Sequence, residues 1–252
     1  VDVILVVAYD SDAILPSIQK INDAGIKAIA YDVQFEDPNA LYITFDNVGV
    51  GRLMAKTMLE KGKSEGNFAF IKGDKGDPNA TFLFQGIQEV LKDGIDSGKI
   101  KNVCETFTDG WKPDNAQKNM EQCLTSTNNK VDAVVSENDG MASGVVAALD
   151  AQGLAGSVPV SGQDGDKANV KAILAGEQAM TVWKDTRKLG DRVFTMIQQI
   201  TKGEKVEVND EKTYNNGVKV VPSYLIAPVI VTKDNAAEVY ANDATLGPLT
   251  KG

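Results

Sequence analysis

The sequence predicts an α/β fold of the doubly wound kind, and three observations carry that expectation. Short apolar, β-branched runs alternate with amphipathic helical patterns along the chain. The runs are mostly continuous, as in Ala133-Val134-Val135, which marks parallel strands covered on both faces. Glycines follow the ends of four helical patterns, at Gly25, Gly153, Gly176 and Gly203, where a left-handed cap is expected. A βαβαβ rhythm of this sort builds a largely parallel sheet with helices on both sides.

The elements follow in order. The run Val3-Ile4-Leu5-Val6-Val7 predicts a strand over 2–8. It is too short for a secretory h-region with its charged flank and cleavage site. So apolar a strand belongs inside a sheet with neighbours on both sides, so a further β-α unit or a partner is expected at its open edge. A helix over 12–24 runs to Gly25, and strands are expected at 27–31 and 41–44. Helix 48–62, strand 67–72 and a long helix over 79–97 come next. Strand and helix then alternate three times, at 101–107 and 113–127, at 132–136 and 139–152, and at 157–161 and 166–175. A strand at 179–183 leads to a helix over 187–202, in which Leu189, Val193, Met196, Ile197 and Ile200 share one face. The rhythm breaks over 204–224, a polar stretch with Asn215-Asn216-Gly217 as a turn signal. The last strand is expected at 225–231, and the small, polar residues 241–252 should lie along the surface.

Composition removes several classes of function. The net charge of -9 disfavours a nucleic-acid partner, which would call for a basic face. The chain has no histidine. That takes away the commonest general base, the Ser-His and Cys-His nucleophile pairs and the usual zinc ligand. No stretch is long and apolar enough to span a bilayer. Cys104 lies in a strand-like run, and Cys123 falls at helical spacing from Ala116 and Met120. A disulfide between them, fitting an oxidising compartment, and two buried free thiols are both open. Gly73-Asp74-Lys75-Gly76-Asp77 follows a strand, but it is neither of the glycine-rich phosphate loops. No GxSxG elbow and no dense run of acidic metal ligands occurs. No catalytic residue, metal or cofactor is assigned.

Ligands of open α/β sheets bind beyond the carboxyl ends of the strands. The residues there are Tyr9-Asp10, Asp32-Val33-Gln34-Phe35, the 73–79 turn, Thr108-Asp109-Gly110-Trp111, Glu137-Asn138-Asp139, Gly162-Gln163-Asp164 and Lys184-Asp185. Amides and carboxylates recur there, with aromatics and few cations. Sugars want this mixture, since hydroxyls pair with Asp, Asn, Gln and Lys while C–H faces stack on aromatic rings. Each turn alone also suits a bland role. Asn79, Asp139 and Asp164 would serve as helix N-caps, and Trp111 as a packed aromatic.

At these same turns the sequence resembles periplasmic pentose-binding proteins, nearest the D-xylose-binding branch, which deliver sugar to ABC transporters. The segments include Ala30-Tyr31-Asp32, Tyr42-Ile43-Thr44-Phe45-Asp46-Asn47, Asp109-Gly110-Trp111, Asn138-Asp139, Ser161-Gly162-Gln163-Asp164, Met180-Thr181-Val182 and Asn215-Asn216-Gly217, in order over nearly the whole chain. The resemblance implies a type I periplasmic binding fold, with two Rossmann-like lobes joined by a three-stranded hinge. The first lobe would hold 1–73 and 185–225, and the second 74–184 and 226–252. Sugar would bind in the cleft and close the hinge. By resemblance Asp32, Asn138 and Asp164 accept from sugar hydroxyls, Trp111 stacks on the ring, Lys184 reaches in from a hinge, and Asn79 stands at the mouth of the second lobe. The family's two sugar-gripping arginines fall at Val33 and Phe84. Relatives also begin with a further β-α-β-α stretch. The implied partner is a permease, with a membrane histidine kinase or chemoreceptor as the alternative. The implied state is an exported, non-enzymatic monomer, periplasmic or extracellular at a membrane, unless a partner completes the first lobe.

Overall fold

A computed structural model describes residues 1–61 and 63–251. The expected helix end at 62 and lobe end at 252 lie outside them. Two compact units emerge. The first holds Val1–Asn47, Gly76–Asn79 and Asp185–Ala227, and the second holds Val48–Lys75, Ala80–Lys184 and the stretch from Pro228 onward.

In the first unit β1 (Val3–Val6), β2 (Lys27–Tyr31), β3 (Leu41–Phe45) and β8 (Ser223–Ile226) form one parallel sheet in the order β1-β2-β3-β8. The helix α7 (Thr186–Thr201) covers one face. Its Leu189, Val193 and Met196 pack on Ile29, Ile43 and Phe45. The helix α1 (Leu15–Asp23) buries Ile18. Strand β1 pairs only with β2, and Leu5 and Val7 stay exposed beside it. The two-sided pairing expected of so apolar a run is therefore not met among the described residues.

The second unit is built around β4 (Gly66–Lys72), flanked in parallel by β5 (Ile100–Phe107) and β6 (Ala133–Ser136). Alternate β4 residues face two separate cores, as strand geometry requires. Phe68 and Phe70 pack with α2 (Asn47–Glu60) and α3 (Pro78–Asp96). Ala69 and Ile71 pack with α4 (Pro113–Thr127) and α5 (Asp139–Asp150). The helix α6 (Lys167–Ala175) leads to β7 (Met180–Trp183), which pairs antiparallel with β9 (Val229–Thr232). The short α8 (Ala236–Val239) and Leu246 close a small core with Val170 and Tyr240, so part of the expected surface tail is buried.

Three expectations need correction. The strand at 157–161 is reduced to a single bridge, Val134↔Val160, because Pro159 lacks an N–H to extend the ladder. The run 225–231 is two strands, β8 and β9, which belong to different units on either side of Pro228. The segment 48–73 packs with the second unit rather than the first, since β4 pairs with β5 and β6 and α2 shares their core. The first change of unit thus falls after Asn47. Cys104 and Cys123 are disulfide-bonded, tying β5 to α4. The four glycines named above all hold positive φ.

Candidate functional site

Among the candidate residues of the first unit, Asp32 leaves β2 with a left-handed φ of 66°. Its own strand-end backbone is pinned. The Asp32 carbonyl accepts from Tyr42 Oη at 2.9 Å and from Asn79 Nδ2 at 3.1 Å. One carboxylate oxygen, Oδ1, accepts from Thr44 Oγ1 at 3.2 Å. Burial, and then the Asp32 charge, push the Tyr42 phenol well above its ordinary pKa, so it remains a donor. Asn79 is 5% exposed, and its Oδ1 accepts from Asn47 Nδ2 at 2.9 Å and lies 3.2 Å from Tyr42 Oη, whose one proton it shares with the Asp32 carbonyl. One N–H of its amide braces Asp32, and it groups with the first unit rather than the second. A cavity of about 180 Å³ lies beside this corner, lined among others by Ser11, Gln34, Phe35, Pro78 and Asn216. The Gln34 amide is buried, and neither its Oε1 nor its Nε2 has a hydrogen-bond partner. Val33 is buried and apolar, and brings no cation here.

In the second unit Trp111 ends a 3-10 turn, Asp109–Trp111, that follows β5. Its indole lies over Gly73, where a Cβ would stand 2.0 Å from the ring. The turn is held by Gly110 N–H donating to Asp74 Oδ2 at 2.5 Å. Gly73 N–H donates to Glu137 Oε2 at 2.7 Å, which links the ends of β4 and β6. Asn138 is the N-cap of α5, its Oδ1 accepting from Met141 N–H at 2.8 Å. That cap leaves the Asn138 amide nitrogen for another acceptor. Asp164 holds a φ of 102° and bridges to Trp183 at the end of β7. Its N–H donates to Val182 O at 2.8 Å, and its carbonyl accepts from Lys184 N–H at 3.3 Å. Trp111, Asn138 and Lys184 therefore stand just past the carboxyl ends of β5, β6 and β7, while Asp164 follows the single bridge at Val160.

The N-cap readings shift with the structure. Asn138 rather than Asp139 caps α5, and Asp166 rather than Asp164 stands at the start of α6. Asp139 is fully buried beside Asp164, a placement that no spacing rule foretells. Gln163, next to Asp164, keeps Oε1 buried without a partner. Lys72 was also not singled out by its sequence. It ends β4 buried, 2.6 Å from Glu105 Oε1, and its ammonium lies over the rings of Phe84 at 4.4 Å and Phe107 at 3.9 Å. Phe84 thus makes part of a cation-π clamp. No cluster of metal-ligating groups occurs among the described residues.

Known proteins resemble this chain over most of its length. The periplasmic binding protein domain matches residues 1–205. The D-xylose-binding periplasmic protein of Escherichia coli K12 is 41% identical over 96% of this chain and 73% of its own length. The multiple sugar-binding periplasmic receptor ChvE of Rhizobium radiobacter is 40% identical over 94% of this chain and 72% of its own. Among solved structures, an ABC transporter solute binding protein from Clostridium phytofermentans with bound β-D-glucose superposes with a TM-score of 0.90. It is 34% identical and is matched over 99% of this chain and 82% of its own.

Proposed function

The chain belongs to the periplasmic binding protein family, and on that premise we propose that it is a receptor that binds a monosaccharide, D-xylose or a related pentose or hexose, and delivers it to an ABC-type permease. Asp32 supplies a carboxylate from the first unit. Trp111, Asn138, Asp164 and Lys184 supply a stacking face, an amide, a carboxylate and an ammonium from the second. The two units are the two lobes, with the first change of lobe after Asn47 rather than after Gly73. Asn79 braces Asp32 and does not touch the sugar. The chain turns over nothing, and it works in the periplasm or at the outer face of a membrane.

The observation that carries this reading is the strand-end set of the second unit. An indole lies against a glycine, and the carboxylate of Asp164 is carried on an uncommon backbone conformation. Such strain persists where the surroundings over-determine it, and it clusters at ligand sites. The buried, unpartnered amide atoms of Gln34 and Gln163 add polar groups suited to hydroxyls. The names of the relatives support the substrate class.

Isothermal calorimetry against a pentose and hexose panel is the test, with the sugar recovered and analysed afterwards. A dissociation constant at or below the micromolar range for one or more monosaccharides, with the sugar recovered intact, is expected. No heat with any sugar, or a chemically altered sugar, overturns the reading.

A further inference from the structure

Asp139 has no place among the sugar contacts, yet its carboxylate is the post on which the Asp164 loop hangs. Oδ2 accepts from Gly165 N–H at 3.0 Å, Asp166 N–H at 3.0 Å and Thr181 Oγ1 at 2.8 Å. Oδ1 accepts from Gln178 Nε2 at 2.8 Å. The Asp139 backbone N–H donates to Gln163 O at 2.9 Å. The first turn of α5 therefore grips the loop on both sides of Asp164, at 163 by its backbone and at 165 and 166 by its carboxylate. The approach is close enough that a Cβ on Gly162 would lie 2.1 Å from Asp139 Oδ1. Gln178 is itself fixed, since its Oε1 accepts from Asn169 Nδ2 at 2.8 Å.

We propose that Asp139 is the positioning residue for Asp164, holding it in its left-handed conformation for the sugar, and that proton uptake by Asp139 loosens this hold and weakens sugar binding. The proposal rests on the reading of Asp164 as a sugar ligand. Asp139 is a plain carboxylate acceptor for four donors, so a proton on it puts a fifth hydrogen into the cluster. Losing its charge also cuts the strength of its bonds to the two backbone N–H groups by roughly half. Burial first, and then the charge of Asp164, raise its pKa to about 7, against the pull of Gln178, Asp166 and Thr181. The titratable groups that face it are Asp164 on the loop and Tyr240 beyond α8, with Asp243 next to Tyr240. The Tyr240 phenol is itself raised, by burial and then by Asp139.

Calorimetric affinity for the best-bound sugar of the panel, measured from about pH 5 to about pH 9, tests the coupling in wild type, D139N, T181V and D164N. Wild type should bind more weakly as pH falls through the Asp139 transition. D139N should bind roughly tenfold or more weakly at alkaline pH, with a flat profile. T181V keeps the carboxylate and removes one opposing donor, so its midpoint should move to higher pH. D164N should lose affinity at every pH. Amide hydrogen exchange without sugar reads the hold directly: the N–H groups of Gly165 and Asp166 should exchange faster in D139N. Wild-type affinity and pH profile in D139N, or unmoved exchange at those two amides, overturns the proposal. An unshifted T181V midpoint overturns the coupling even if D139N proves poorly folded. If wild type binds no monosaccharide, the receptor reading fails, while exchange at Gly165 and Asp166 still decides whether Asp139 holds the loop.

Discussion

At the scale of single residues, buried carboxylates set opposing demands. Asp139 is fully buried with its pKa raised to about 7, so folding favours its protonated form. The sign follows from linkage. Stability from this group is fully present below its unfolded value of about 3.9, and it is lost as pH rises through about 7. The loss is up to roughly 4 kcal/mol, at about 1.4 kcal/mol per unit. Denaturant melts of wild type and D139N at pH steps across this window check it: wild type should lose stability relative to D139N as pH rises. The ligand grip inferred above wants the opposite protonation state, which is the usual tension between a stable fold and a poised site. The strand-end positions of Asp32, Trp111, Asn138 and Lys184 were legible because a residue just past an apolar, strand-like run has its place fixed by chain order. The contacts of Asn79 were not legible, because its partners Tyr42 and Asn47 are 37 and 32 residues away in the chain.

At the scale of elements, β4 and the turn after β5 meet at one atom's width. Gly73 has no positive φ to explain it, so the space taken by the Trp111 indole is its reason. Gly73→Ala would put a Cβ 2.0 Å from Trp111 Cη2. Overpacking of this kind costs about 1–3 kcal/mol. The expected outcome is a lower melting temperature, changed tryptophan fluorescence and weaker sugar binding, whereas unchanged fluorescence and affinity would show that the ring does not depend on that gap. Periodicity located most strands and helices, since burial on both faces writes a continuous apolar run. It failed where a strand is interrupted. Pro159 reduces 157–161 to a bridge, yet the segment still receives N–H bonds from Ala179 and Val182, at Val160 O and Gly162 O. Pro228 follows the point where 225–231 divides.

At the scale of the molecule, two units imply two unfolding events rather than one. The Cys104–Cys123 bond lies wholly within the second unit and closes a loop of sequence separation 19. In the chain-entropy account such a loop stabilises by roughly 3 kcal/mol. Adding reductant should therefore lower one melting transition and leave the other in place, as differential scanning calorimetry would record. A shift of both transitions, or of neither, would contradict an independent second unit. Among the described residues no helix is long and apolar enough to cross a membrane.

The sequence by itself determined the doubly wound class, the order of the strand ends and the polar character of the residues on them. Those properties are local: hydrophobic period, cap glycines and the chain order of turns. The tertiary structure alone decided that 48–73 joins the second unit, that Cys104 and Cys123 are bonded, that Asn79 braces Asp32, and that Asp139 rather than a cap holds the Asp164 loop. Each of these depends on which distant segments share a core or a hydrogen bond, and sequence spacing carries no record of that.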